Sequence, residues 1–190
     1  MNSNFFVDVT FKESSCITTE YLYKKLKPVF IKGRPLVIVS IGSDRATGDC
    51  LGPLVGSNLN FNALNVYSFG SLENPVHSKN LRETLLYIKS NFKNPYVIAI
   101  DASLGRIDSI GKVFIEDSPL RPGLALNKNL PQVGDLSITG VVNISGNYEF
   151  MVLQNTRLYT VMLLAKFISN SLSQTINLLD LEINKAKASS

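Results

Sequence analysis

The 190-residue chain is poor in several residue types that would narrow its function. It has two cysteines, Cys16 and Cys50, far apart and in no C-x-x-C spacing, which argues against a structural zinc site and a disulfide framework. It has one histidine, His77, so a catalytic apparatus built on several imidazoles is excluded. No uninterrupted apolar run reaches the roughly 18 residues that a membrane span needs. The first residues, MNSNFFVDVTFKESS, have no basic segment leading into an apolar one, so no secretory signal is expected. G-x-G-x-x-G and G-K-S/T patterns are missing, as are internal repeats and low-complexity tracts. Charged residues make up 18% of the chain and the net charge is +4, with the basic residues scattered. The densest group, Lys24, Lys25 and Lys27, reads as a solvated helix face rather than a nucleic-acid patch. The expectation is a cytoplasmic protein without nucleic-acid or membrane partners.

Hydrophobic residues form 45% of the chain, a composition that buries a core, and the length suits a single domain over 1–190. Residues 1–34 read as an N-terminal extension packing on that domain, with a helix over 17–31 and no clear period before it. Residues 185–190, KAKASS, read as a frayed tail. Apolar runs bounded by Pro or Gly predict buried strands at 36–41, 66–69, 96–100, 111–115 and 137–142. Helical spacing predicts helices at 52–64 and 78–92, and a long one at 153–179 with a break near 170–173. Residues 117–136 read as loop. Strands alternating with helices predict an α/β fold, a three-layer α/β/α sandwich around a mostly parallel sheet.

In such sheets ligands bind beyond the carboxyl ends of the strands. Three of those ends carry ionisable groups: Asp44 and Asp49 after the first buried strand, Glu73 and His77 after the second, and Asp101 with Ser103 after the third. Asp101 follows Val97–Ile100 and is expected to be partly buried. A buried carboxylate is costly unless paired, and two carboxylates placed together share a proton. Such a pair can activate water and protonate a leaving group. Asp49, just ahead of Gly52-Pro53, also fits a helix N-cap. Asp44 and Arg45 fit a surface ion pair. Cys50 fits a small buried thiol better than a nucleophile, because Leu51, Leu54 and Val55 around it have core character. Asp49, Glu73, His77 and Asp101 would be the ligands if the site held a divalent metal, although no cofactor is required.

The stretches IGSDRATGDCLGPLVG, SLENPVHSKNL, VIAIDASLGR, PGLALNKNLPQVGDLSITGVVN and LQNTRLYTVMLLAKF together resemble the YyaC family of sporulation proteins, over about residues 35–166. More distantly the chain is similar to the spore germination protease, an atypical aspartic peptidase with a T-x-D-x-L-G-P loop and an I-D-A strand end. Those motifs fall on Thr47–Pro53 and Ile100–Ala102, so the resemblance implies Asp49 and Asp101 as the catalytic pair. It implies the fold of the hydrogenase-maturation endopeptidases. It also implies a peptide or protein substrate, such as small acid-soluble spore proteins, and a place in the mother cell, forespore or spore core; a homo-oligomer is left open. Unlike those endopeptidases, the chain has no histidine in Gly134–Ser137. The segment from Pro119 to Gly134 is expected to shape the cleft, with Arg106 or Arg121 polarising a carbonyl.

Overall fold

The computed structural model describes residues 5–123 and 130–188. The segments PGLALNKN and KAKASS lie partly outside this range, so the expectations for 124–129 and 189–190 fall on residues not described. Six strands form one sheet: β1 (Phe5–Asp8), β2 (Leu36–Ser40), β3 (Val66–Phe69), β4 (Tyr96–Gly105), β5 (Lys112–Glu116) and β6 (Leu136–Ile144). Their order is β1-β5-β6-β4-β2-β3. The four strands β3, β2, β4 and β6 are parallel, while β5 and β1 close the far edge antiparallel.

Side-chain alternation divides the sheet into two apolar faces. Leu36, Ile38, Ile98, Ile100, Ile115 and Ile138 point to one face. There they pack under the helices α1 (Ser14–Ile31), α2 (Leu51–Asn58) and α5 (Leu158–Ala188). Val37, Val39 and Ala99 point to the other, against Leu81 and Ile88 of α3 (Leu81–Asn91) and against Leu120 and Val133. The result is the expected three-layer α/β/α sandwich. No helix is long and apolar enough to cross a membrane among the described residues.

Several element boundaries differ from the sequence reading, each for a local reason. Residues 5–8 form an edge strand on β5, with Phe5 stacked on Tyr21 at a ring separation of 4.2 Å. Residues 5–31 thus supply a strand of the sheet and a helix of the core. The 52–64 helix stops at Asn58, because Ser173 and Asn177 on α5 capture the amides of Asn60 and Asn62. The 153–179 pattern does break, but at 155–157, between α4 (Glu149–Gln154) and α5. Around 170–173 the helix is continuous: Ser171, Ser173 and Thr175 are buried in it, and Thr175 donates to the Ser171 carbonyl at 2.8 Å. Lys and Ala are strong helix formers, and Asn184 donates to Asp180 at 2.8 Å. α5 therefore runs to Ala188 where a frayed tail is expected. The lysine cluster is not simply solvated, because Lys25 pairs with Asp117 and Lys27 with Glu182, tying α1 to the rest of the fold.

Candidate functional site

The chain leaves β2, crosses to β3 on one side, then returns to β4 on the other side of β2. The carboxyl ends of β2 and β4 therefore flank the point where strand order reverses, the usual ligand position in open α/β sheets. Asp49 follows one of these strands and Asp101 lies on the other.

Asp49 is placed by close backbone packing. Ile41 extends β2 by one residue, donating to the Ile100 carbonyl at 2.7 Å and bridging to Val76. At Gly42 (φ +144°) the chain turns, and Ser43 donates its amide to the Asp49 carbonyl at 3.1 Å. A Cβ at Gly42 would lie 2.1 Å from that carbonyl oxygen, and one at Gly52 would lie 2.0 Å from the Ile41 carbonyl. Only glycine allows both approaches. Asp49 sits in a short 3₁₀ turn, Gly48–Cys50, that runs into α2. The expected N-cap is not made, since neither the turn nor α2 has a side-chain cap hydrogen bond.

β4 continues five residues beyond the Ile100 at which it was expected to stop in an Asp101 end, so Asp101 lies inside the strand rather than after it. It shares the face of Ala99 and pairs in register with Thr139 of β6. Only 9% of its surface is exposed. Burial, reinforced by the negative charge of Asp49, holds its carboxyl well above the ordinary carboxylate range, against a 2.8 Å hydrogen bond from the Ala102 amide that favours ionisation. The register of β4 with β6 shifts at Ser103–Leu104, a bulge directly beyond it.

Two cavities meet at this pair, and Asp49, Asp101 and Gly123 line both. The larger, of about 520 Å³, has a polar floor of Ser103, Glu116, Ser137 and Thr139, on three neighbouring strands. The smaller, of about 390 Å³, is walled by Ile41, Leu130 and Phe150 among others, with Arg45, Lys79 and His77. Leu120 and Val133 pair by a bridge, and among the described residues of this segment Pro119, Arg121, Pro122 and Leu130 line the cavities as expected.

The remaining sequence candidates separate. Ser103 joins the pair in the larger cavity and His77 joins it in the smaller. The Nδ1 of His77 is buried with no hydrogen-bond partner among the described residues. Its backbone builds the turn into α3: its amide donates to Asn80 Oδ1 at 2.8 Å, and its carbonyl accepts from Leu81. Glu73 is exposed and lines a separate hollow at the end of β3. Asp44 is exposed and makes no ion pair with Arg45. Asp49, Glu73, His77 and Asp101 do not converge as a ligand set: no three of His, Cys, Asp and Glu are placed to hold a metal ion among the described residues. Arg106 is bonded to Asp108 at 2.8 Å and lines neither cavity, which leaves Arg121. Cys50 is half-buried, and burial with the charges of Asp44 and Asp49 pushes its thiol up, away from the thiolate a nucleophile needs. Sequence reasoning missed Thr139, Glu116 and Glu149. The readable signal was polar residues at alternate positions, Ser137 and Thr139, in a strand otherwise apolar on both faces.

Fold and site together describe an α/β/α sandwich domain with an acid pair at its switch point. The structure is similar to a [NiFe] hydrogenase maturation protease, HycI from Thermococcus kodakarensis KOD1, with a TM-score of 0.53 and 19% identity, covering 80% of this chain and 98% of that one. A family model described as "Protein of unknown function (DUF1256)" matches residues 7–171, and the chain belongs to this family. It is 50% identical over 144 residues to the uncharacterized protein YyaC of Bacillus subtilis (strain 168), covering 75% of this chain and 70% of that relative.

Proposed function

We propose that the protein is an endopeptidase of the aspartic type, in which Asp49 and Asp101 share one proton and hydrolyse a peptide bond with water. The observation that carries this reading is the buried carboxyl of Asp101, whose hold on its proton is strengthened by burial and by the charge of Asp49 where two cavities meet. A carboxylic acid held neutral beside an ionised one is the arrangement that lets a single site act as acid and base together. Asp49, the more exposed of the two, takes a proton from water as the oxygen bonds to the peptide carbonyl carbon. Asp101 gives its proton to the carbonyl oxygen. The proton on Asp49 then passes to the amide nitrogen as the C–N bond breaks, and the proton on the tetrahedral oxygen returns to Asp101 as the carbonyl re-forms. The pair ends as it began. Arg121, which lines the larger cavity, would polarise the substrate carbonyl.

The shared fold supports the reading, since the structural relative is itself a maturation protease. The motif resemblance to the germination protease suggests small acid-soluble spore proteins as one substrate class. The test is to incubate the protein with those proteins and with an unbiased peptide library, and to read new termini by mass spectrometry. Cleavage by the wild type that Asp49→Asn and Asp101→Asn both abolish is expected. No new termini from the folded wild type between pH 4 and pH 9 would overturn the proposal.

A further inference from the structure

The acid pair separates two cavities of opposite character. Glu116 and Glu149 line the larger one together with Arg121, so that with the acid pair its acids outnumber its cation. Both are half-buried, and neither has an ion-pair partner among the described residues. Arg45 and Lys79 line the smaller one, equally without ion-pair partners, above walls formed by Ile41, Leu130 and Phe150. Elsewhere Lys25, Lys27 and Arg106 each pair with a carboxylate. A half-buried carboxylate left without a cation bears a desolvation cost that an incoming cation relieves. We infer that the cleft binds an extended polypeptide with segregated charge, placing a lysine or arginine against Glu116 and Glu149 on one side of the acid pair, and an apolar residue followed by an acidic one against Phe150, Arg45 and Lys79 on the other. This inference rests on the peptidase reading and specifies its substrate.

Complementary fields of this kind set specificity and register more than raw affinity. Reading the wrong charge into either cavity places like charges together, so the cleft also rejects the reversed order. Electrostatic contacts at partly exposed sites weaken with salt, and the preference should fall between 50 mM and 500 mM.

The experiment uses the full chain carrying Asp101→Asn, and fluorescent peptides of equal composition with basic and acidic residues segregated in either order or interleaved. Binding is read by anisotropy. One segregated order is expected to bind about tenfold tighter than the interleaved peptide. Glu116→Lys with Glu149→Lys in the same background should remove that preference, as should Arg45→Glu with Lys79→Glu. Equal affinity for all three peptides would overturn the inference, and so would a preference that survives both reversals. Library cleavage by the wild type at sites without charge segregation would also overturn it while leaving the peptidase reading in place. Segregated binding without cleavage would support the cleft assignment and count against hydrolysis.

Discussion

Asp101 occupies a strand position where its neighbours on β4 are Ile100 and Ala102, and where 9% of its surface reaches solvent. Its proton affinity has a consequence for stability. Because the folded carboxyl holds its proton to higher pH than the unfolded one, the folded state binds more protons between the two values, and stability falls as pH rises through that window. Each unit of the difference is worth about 1.4 kcal/mol. Asp101→Asn removes the cost. The variant should therefore melt at a higher temperature than wild type at pH 7 to 8, with the gain vanishing below about pH 4, where the unfolded carboxyl is also protonated. The same substitution should abolish cleavage. A calorimetric pH series of the two proteins checks the first outcome. Cys50 gives the opposite expectation. With its thiol pushed up by burial, Cys50→Ala should keep more than half of the activity, and thiol alkylation should not inhibit. Asp101 was legible in the sequence because an acid follows a wholly apolar run. The 3₁₀ turn that carries Asp49 just ahead of α2 was not, because spacing alone cannot tell a helix cap from a residue in the turn before it.

The elements around the pair work through close approach. Gly42 and Gly52 bring the end of β2, the 3₁₀ turn and α2 to contact distances that a Cβ would break. Gly42→Ala combines that overlap with a strained φ and should cost about 1–3 kcal/mol or more. Because the turn carries Asp49, kcat should fall further than the lost stability accounts for, a split read by comparing chemical denaturation with turnover. Leu164 of α5 is fully buried beneath the sheet and lines neither cavity. Leu164→Ala should cost about 2–5 kcal/mol through the cavity it leaves, with turnover preserved below the new melting temperature. Strand and helix identities were readable from period and Gly/Pro punctuation. The strand at Phe5–Asp8 showed no clear period, and its partner β5 lies more than a hundred residues away, so no local pattern reveals that pairing. The end of α2 was hidden for the same reason, being fixed by side chains on α5.

At the scale of the molecule, the four parallel strands and their crossovers place the switch point, and the antiparallel β5 and β1 extend the sheet past it. The sequence order of strands and helices suffices for an α/β sandwich. The meeting of two cavities of opposite charge does not follow from it, since Glu116, Arg45 and Lys79 come from separate segments. β1 covers the outer edge of β5. Removing residues 1–9 should expose that edge and turn the protein into an aggregating species on size-exclusion chromatography, since unpaired strand edges recruit one another.

The account depends on one proton shared by two aspartates. The most direct test is a ¹³C NMR titration of the aspartate side-chain carboxyls in the wild type and in Asp49→Asn. Asp101 should titrate well above about 3.9, the ordinary value for aspartate, and move downward when the charge of Asp49 is removed. An Asp101 that titrates near that ordinary value in both proteins would contradict the shared proton and, with it, the peptidase mechanism built on it.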